Sequence, residues 1–234
     1  MQNSHPLDDF IWKSLTSCHQ HLAAGDALAL RYPAPIGPFA VLGGNSPANW
    51  KAFADLVLAG DHAALVTLQE LEPPSGLNVI QRGLINQMVL STAPSDSSVA
   101  KASRLGVADV PDMLELVAMT RPGPFGTRTH EMGEYYGIRV GGKLVAMAGE
   151  RMRLPDYTEV SAVCVHPDYR GHRHAETLVN LVGKRVVARG ETPFLHVFSD
   201  NTGAIKLYEK LGYVLRRQFH LVVLARAGDG DAAG

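Results

Sequence analysis

The run Val163-Cys164-Val165-His166-Pro167-Asp168-Tyr169-Arg170-Gly171-His172-Arg173-His174-Ala175 constrains the fold more than any other stretch of the chain. Apolar residues end a buried strand, His166-Pro167 breaks it, a basic loop turns, and a helix is predicted from about Arg173 to Ala188. A strand that hands over to a helix this quickly belongs in an α/β fold. The helix start also presents unpaired backbone N–H groups at the positive end of the helix dipole. Such a loop suits a pyrophosphate, because each amide can donate to a phosphate oxygen. Gly171 and Ala175 keep side chains small where that ligand would approach.

The basic character is local. Lys and Arg number 22 against 23 Asp and Glu, a formal net charge of −1, so nothing global favours nucleic acid or an anionic membrane. With 46% hydrophobic and 19% charged residues in 234, the chain can bury a core as one large domain or two small ones. Its two cysteines, Cys18 and Cys164, exclude a disulfide framework and a multi-thiolate zinc site. No basic segment followed by an apolar run opens the chain and no stretch is long enough to span a membrane, so a cytoplasmic location is expected.

Ser91-Thr92-Ala93-Pro94-Ser95-Asp96-Ser97-Ser98 is a seam of small and turn-forming residues. It separates an N-terminal α/β half (1–92), structural or substrate-shaping, from a domain at 99–225, with 226–234 as a disordered tail. In the first half, Leu7, Phe10, Ile11, Leu15, Cys18 and Leu22 recur at helical spacing, with Gly25 placed to stop that helix. Strands are predicted at Ala27–Tyr32, Pro38–Leu42, His62–Leu68 and Leu84–Leu90, with a helix opened by Ser46 as N-cap and Pro47 and ended by Gly60. Gly43-Gly44 before that helix is taken as a tight turn rather than an anion cradle, since the loop carries no lysine or arginine. In the second half, Asp109-Val110-Pro111 opens a helix and Gly141-Gly142 joins strands Tyr135–Val140 and Lys143–Met152 as a hairpin. A further strand follows at Thr158–Val165, then one at Phe194–Phe198, a helix at Thr202–Leu211 and extended chain from Tyr213 to Val223.

A second unit lies downstream: Asp200-Asn201-Thr202-Gly203-Ala204-Ile205-Lys206-Leu207-Tyr208-Glu209-Lys210-Leu211-Gly212-Tyr213. Asn201 stands where an N-cap belongs, Gly212 at C′, and Ala204, Leu207, Tyr208 and Leu211 on one helical face. By itself, Tyr208 reads as a core residue with its hydroxyl at the edge.

The two units, in this order, resemble the GNAT superfamily of acetyl-CoA-dependent N-acetyltransferases. The first is similar to its pyrophosphate loop, a pattern of Arg or Gln, two variable residues, Gly, one variable residue, and Gly or Ala. Arg170 and Ala175 match; the position of the first glycine is Arg173. Backbone amides persist at an arginine, and its guanidinium could reach a phosphate; were a positive φ required there, arginine would cost on the order of 1 kcal/mol or more. The second unit is similar to the family's late helix, ending Leu-Tyr-Glu-Lys-Leu-Gly-Tyr. Together with Gly190-Glu191-Thr192-Pro193-Phe194-Leu195-His196-Val197, the chain resembles a branch with an additional N-terminal half.

The resemblance implies an acetyltransferase fold with a splayed, mostly antiparallel central sheet, preceded by a smaller α/β half in the manner of a degenerate tandem copy. It implies acetyl-CoA as co-substrate, an amine acceptor not identified by the sequence, and a monomer or homodimer. Val163, Cys164 and Val165 would present strand backbone to the acetyl-pantetheine arm, one N–H serving as oxyanion-hole donor. Gly171, His172, Arg173, His174, Ala175 and Glu176 would hold the pyrophosphate. Tyr208 would protonate the departing thiolate, and Asn201 would bond near the pantetheine or position Tyr208.

For the general base, Glu159 lies on the strand face that even spacing shares with Ser161 and Val163. A carboxylate beside an apolar cleft would be a useful base, and a solvated strand-end charge is the equal alternative. Glu150 is the reserve. Cys164 is read as a small buried residue rather than a nucleophile, and His166, His172 and His174 as loop residues rather than metal ligands, so no metal is expected. Arg121, Phe125, Arg128 and His130 are candidates to line the acceptor cleft. The competing function is a non-catalytic acyl-CoA sensor or interaction module on the same fold.

Overall fold

The computed structural model describes residues 5–94 and 102–227; residues 95–98 of the seam and 228–234 of the expected tail lie outside the described residues. The first half contributes α1 (Phe10–Leu15), β1 (Ala24–Gly25), β2 (Ala29–Arg31), β3 (Phe39–Leu42), α2 (Pro47–Leu56), β4 (Ala63–Thr67) and β5 (Leu77–Leu90). The second contributes β6 (Ala102–Leu105), α3 (Val110–Thr120), β7 (Tyr135–Val140), β8 (Lys143–Leu154) and β9 (Tyr157–Val165). It continues with α4 (His174–Ala188), β10 (Thr192–Phe198), α5 (Thr202–Lys210) and β11 (Tyr213–Arg226).

Among the described residues, the strands form one sheet in the order β1-β2-β3-β4-β11-β5-β10-β9-β8-β7-β6. Neighbours pair antiparallel except β3 with β4 and β9 with β10, so the α/β class and mostly antiparallel sheet expected from the sequence are present. The sheet runs across the seam. β5 lies between β10 and β11, paired with β11 from Tyr213↔Leu90 to Arg226↔Leu77 and with β10 from Phe194↔Val89 to Phe198↔Ile85.

α4 and α5 cover one face of the C-terminal strands, packing Leu178, Val182, Tyr208 and Leu211 against Val160, Leu195 and Met88. On the opposite face α3 packs Met113 and Leu116 against Met147, Ala162 and Cys164, while α1 packs Phe10 and Ile11 with Met152, Phe194 and Phe219.

The hairpin glycines Gly141 and Gly142 take φ of 58° and 86°, the positive values that a tight two-residue turn needs. Ser46 caps α2 as the sequence predicts, and Pro47 opens it. The helix expected from Leu7 to Leu22 is instead broken into a 3₁₀ turn at Pro6–Asp9, α1, and a second 3₁₀ turn at Gln20–Leu22. Thr16 Oγ1 donates to the Trp12 carbonyl at 2.8 Å and Ser17 Oγ to that of Lys13, and His19 turns inward to the Tyr32 hydroxyl at 3.0 Å. Gly25 lies in β1 rather than at a helix end. β5 begins seven residues before its expected start at Leu84, because its exposed first part lacks the apolar alternation by which strands are recognised.

Candidate active site

β9 and β10 pair at only Thr192↔Tyr157, Pro193↔Thr158 and Phe194↔Glu159 before they part. Beyond that last rung β10 continues along β5, and β9 continues along β8 alone. Among the described residues, then, no strand lies on the hydrogen-bonding edge of β9 from Val160 to Val165, and peptide groups in such an edge need a partner.

Within that edge Ala162 takes φ 52°, and the register with β8 slips between Met147↔Cys164 and Gly149↔Ser161. This bulge reverses the alternation of faces. Val160 and Val163 join the α4–α5 cluster, whereas Ala162 and Cys164 face α3. The even spacing that grouped Glu159, Ser161 and Val163 on one face therefore does not hold.

The loop after β9 makes a 3₁₀ turn at Pro167–Tyr169, passes Gly171 at φ 81°, and enters α4 through Arg173 at φ 58°, ψ 22°. Arg173 thus occupies the left-handed region, not the right-handed one in which arginine is unstrained, and its own side chain makes no capping hydrogen bond to the first turn of α4. Arg170, Gly171, His172 and Arg173 are exposed, with His174, Ala175 and Glu176 half-buried behind them. His172 Nδ1 donates to the Arg170 carbonyl at 2.9 Å, and its ring stacks on His174 at 5.7 Å. Glu176 pairs with Lys210 of α5 at 2.8 Å, tying the two helices together.

Asn201 is the N-cap of α5, its Oδ1 accepting from Ala204 N at 3.1 Å. The helix carries Tyr208 into the α4–α5 cluster, 8% exposed and edge-on to Tyr213 at 6.1 Å. Burial pushes the Tyr208 hydroxyl up to about 12, with the nearby Cys164 thiol adding to the effect. Burial likewise raises Cys164 to about 11, against hydrogen bonds to Thr120 and Met147, which leaves it a poor nucleophile.

Glu159 departs furthest from expectation. It is fully buried, and Arg151 grips it with two hydrogen bonds of 2.8 and 2.6 Å, while His196 Nδ1 donates to it at 2.7 Å. Burial pushes its pKa up, but the Arg151 guanidinium and the His196 bond outweigh this and hold it at about 2. A carboxylate so low, with its oxygens already engaged, is a poor proton acceptor. Glu150, the reserve, faces Val160 in register but is buried against Arg189 at 2.9 Å; burial raises its pKa and Arg189 opposes the rise.

The loop after α3 is docked on the first half. Arg128 N donates to the Pro35 carbonyl at 2.9 Å and Thr129 Oγ1 to that of Ile36 at 2.5 Å. A Cβ on Gly126 would stand 2.4 Å from Pro35 O, so only glycine allows the approach. Phe125 meets the Tyr135 ring edge-on at 5.5 Å, and Arg121 ends α3 at φ 47°. Arg128 is turned to Glu131 at 2.7 Å, and His130 Nδ1 is buried with no hydrogen-bond partner among the described residues. No three His, Cys, Asp or Glu groups among the described residues converge on a metal, and no helix there is long and apolar enough to cross a membrane.

The residues that sequence reasoning missed are Arg151, His196 and Gln87. Each sits in a strand, where only the register brings them together.

A family profile of FR47-like proteins matches residues 135–222. An "acetyltransferase" of Yersinia pestis is 45% identical over 51 residues, 21% of this chain and 36% of that relative. The catalytic subunit of an N-terminal acetyltransferase B complex from Arabidopsis thaliana is 41% identical over 61 residues, 25% of this chain and 35% of its own. The chain thus spans about a third of the length of these curated relatives. A solved structure assigned to the GNAT family of acetyltransferases, from Novosphingobium aromaticivorans, is 37% identical, covers 96% of this chain and 100% of its own, and superposes with a TM-score of 0.89. With likeness over essentially the whole length added to the open β9 edge and the uncapped α4, the chain belongs to the GNAT acetyltransferase family.

Proposed function

We propose that the protein moves the acetyl group of acetyl-CoA to a primary amine by direct attack. The observation that carries this reading is the parting of β9 and β10 after Phe194↔Glu159, which leaves an unpaired strand edge leading to the uncapped first turn of α4. The free amides of β9 at Val163 to Val165 would bond the pantetheine arm, and one would polarise the thioester carbonyl and stabilise the oxyanion. The first-turn amides of α4, Gly171 and the guanidiniums of Arg170 and Arg173 would hold the pyrophosphate.

Among the described residues nothing hydrogen-bonds the Tyr208 hydroxyl, and at about 12 it keeps its proton at neutral pH. It would give that proton to the coenzyme A sulfur as the carbon–sulfur bond breaks. Glu159 being engaged, the proton of the amine passes to water. The acceptor enters on the α3 face, between the loop docked on Pro35–Ile36 and the parting strands, which makes the first half a wall of the cleft.

Calorimetry with acetyl-CoA, using coenzyme A for comparison, tests the first step: saturable binding is expected, and none at millimolar ligand would refute the reading. Tyr208→Phe should lower turnover about 10²-fold and leave the Kd for acetyl-CoA unchanged. An equal loss of both would make Tyr208 a packing residue and leave a binding module as the better account.

A further inference from the structure

The buried polar side chains on the α1 face are arranged in a row across the strands, and the row coincides with the last rung that β9 and β10 share. Glu159 is in that rung, opposite Phe194. Two residues of β8, Arg151 and Met152, oppose Glu159 alone, because the register runs from Glu150↔Val160 directly to Arg153↔Thr158. A bulge of this kind re-aims a side chain. Here it turns the Arg151 guanidinium onto both carboxylate oxygens of Glu159 and brings Met152 N to 3.4 Å from one of them. On the other side His196 of β10 donates to Glu159, and Gln87 of β5 places its amide nitrogen 3.0 Å from His196 Nε2 and 3.1 Å from the Leu7 carbonyl oxygen. Phe39 of β3 lies under the guanidinium at 4.5 Å, and Phe10 of α1 covers the imidazole at 4.4 Å.

We infer that Arg151, Glu159, His196 and Gln87 form a polar stitch through β8, β9, β10 and β5 that fixes the rung at which the sheet opens, and that Glu159 is a positioning residue. The inference rests on the reading of the β9 edge as the acetyl-CoA site. Peptide hydrogen bonds alone would let β9 and β10 pair one or two rungs further and close that edge. The stitch is made at one register only, since its donors and acceptors are side chains on four strands. Its partners are buried, so slipping the register would strand charges away from water.

The test compares Glu159→Gln with the triple variant Arg151→Met, Glu159→Leu, His196→Phe, which replaces the charges by apolar side chains of similar size. Thermal melts, the Kd for acetyl-CoA by calorimetry, and the pH–rate profile of thiol release from acetyl-CoA, with water as the acetyl acceptor, are read for each. Glu159→Gln should melt well below wild type and lose on the order of 10²-fold in kcat/KM, chiefly through KM, with the shape of the pH profile kept. The triple variant should recover most of the melting temperature while its Kd for acetyl-CoA stays about 10-fold raised. Recovery of both would make the stitch structural and overturn the inference. Loss of the acidic limb of the profile in Glu159→Gln, with Kd unchanged, would overturn it in favour of a proton-accepting carboxylate. A wild-type chain that binds no acetyl-CoA would instead remove the proposed function, and the stitch's role with it.

Discussion

Arg173 holds a left-handed backbone where the loop pattern of the family has glycine, at a cost of about 1–2 kcal/mol. The substitution was legible in the sequence; the φ that decides its cost was not, because it depends on how the 3₁₀ turn at Pro167–Tyr169 delivers the chain to α4. Glu159 shows the same limit. Its position on a strand was legible, but its partners come from a bulge in β8 and from a strand that is non-adjacent in sequence. A third residue, His19, is buried beside Tyr32, and desolvation chiefly lowers its pKa from 6.5 to about 4. The unfolded chain therefore binds a proton that the native chain does not between those values. Stability from this group is full above about pH 6.5, falls as pH drops toward 4, and changes by about 3 kcal/mol in all. Burial lowers His196 too, which adds in the same direction. Melting temperatures from pH 7.5 to 4.5 should fall more steeply for wild type than for His19→Gln; equal slopes would show that His19 does not contribute.

At the level of elements, α2 and α4 occupy corresponding places. Each follows the second strand of an antiparallel pair, β2–β3 or β8–β9, and leads to a strand parallel to it. Their N-termini differ. Ser46 and Asn49 bond each other's backbone amides in a capping box at 3.3 and 3.1 Å, Asn49 also donates to the Leu28 carbonyl at 2.9 Å, and Trp50 reaches Asn45 at 2.7 Å. The amides that α4 leaves open are partly satisfied in α2 from within. Calorimetry should accordingly give one acetyl-CoA per chain, and Ser46→Ala should cost about 1 kcal/mol of stability without changing that binding. A stoichiometry of two would mean that the first half also binds. Ser46-Pro47 was readable as a cap, and Gly43-Gly44 as a turn, from local chemistry alone. The break in the expected helix from Leu7 to Leu22 was not, since the bonds of Thr16 and Ser17 to the backbone are joined there by a contact of His19 with a tyrosine outside that segment.

Over the whole molecule, the sheet order reads alike from both ends: β2-β3-β4 on one side and β8-β9-β10 on the other, with β11 and β5 between them. β11, the last strand of the second half, pairs with β4 of the first, and β5, the last strand of the first half, pairs with β10 of the second. This supports a tandem copy in which the closing strands are exchanged. Such long-range pairing is invisible to periodicity, and a seam in composition at 91–98 gave no hint of it. A chain starting at Ala102 would lack β5 and β4 and expose the bonding edges of β10 and β11, so it should be insoluble or unfolded by circular dichroism. A soluble fragment that binds acetyl-CoA would disprove the dependence. The exchange also bears on descent. A half that merely sat beside its neighbour could be lost easily, but here its final strand lies between two strands of that neighbour. Under the proposed function, change tolerated in residues 1–92 should therefore concentrate around α2 while sparing β5, whose pairing with β10 and β11 the second half needs.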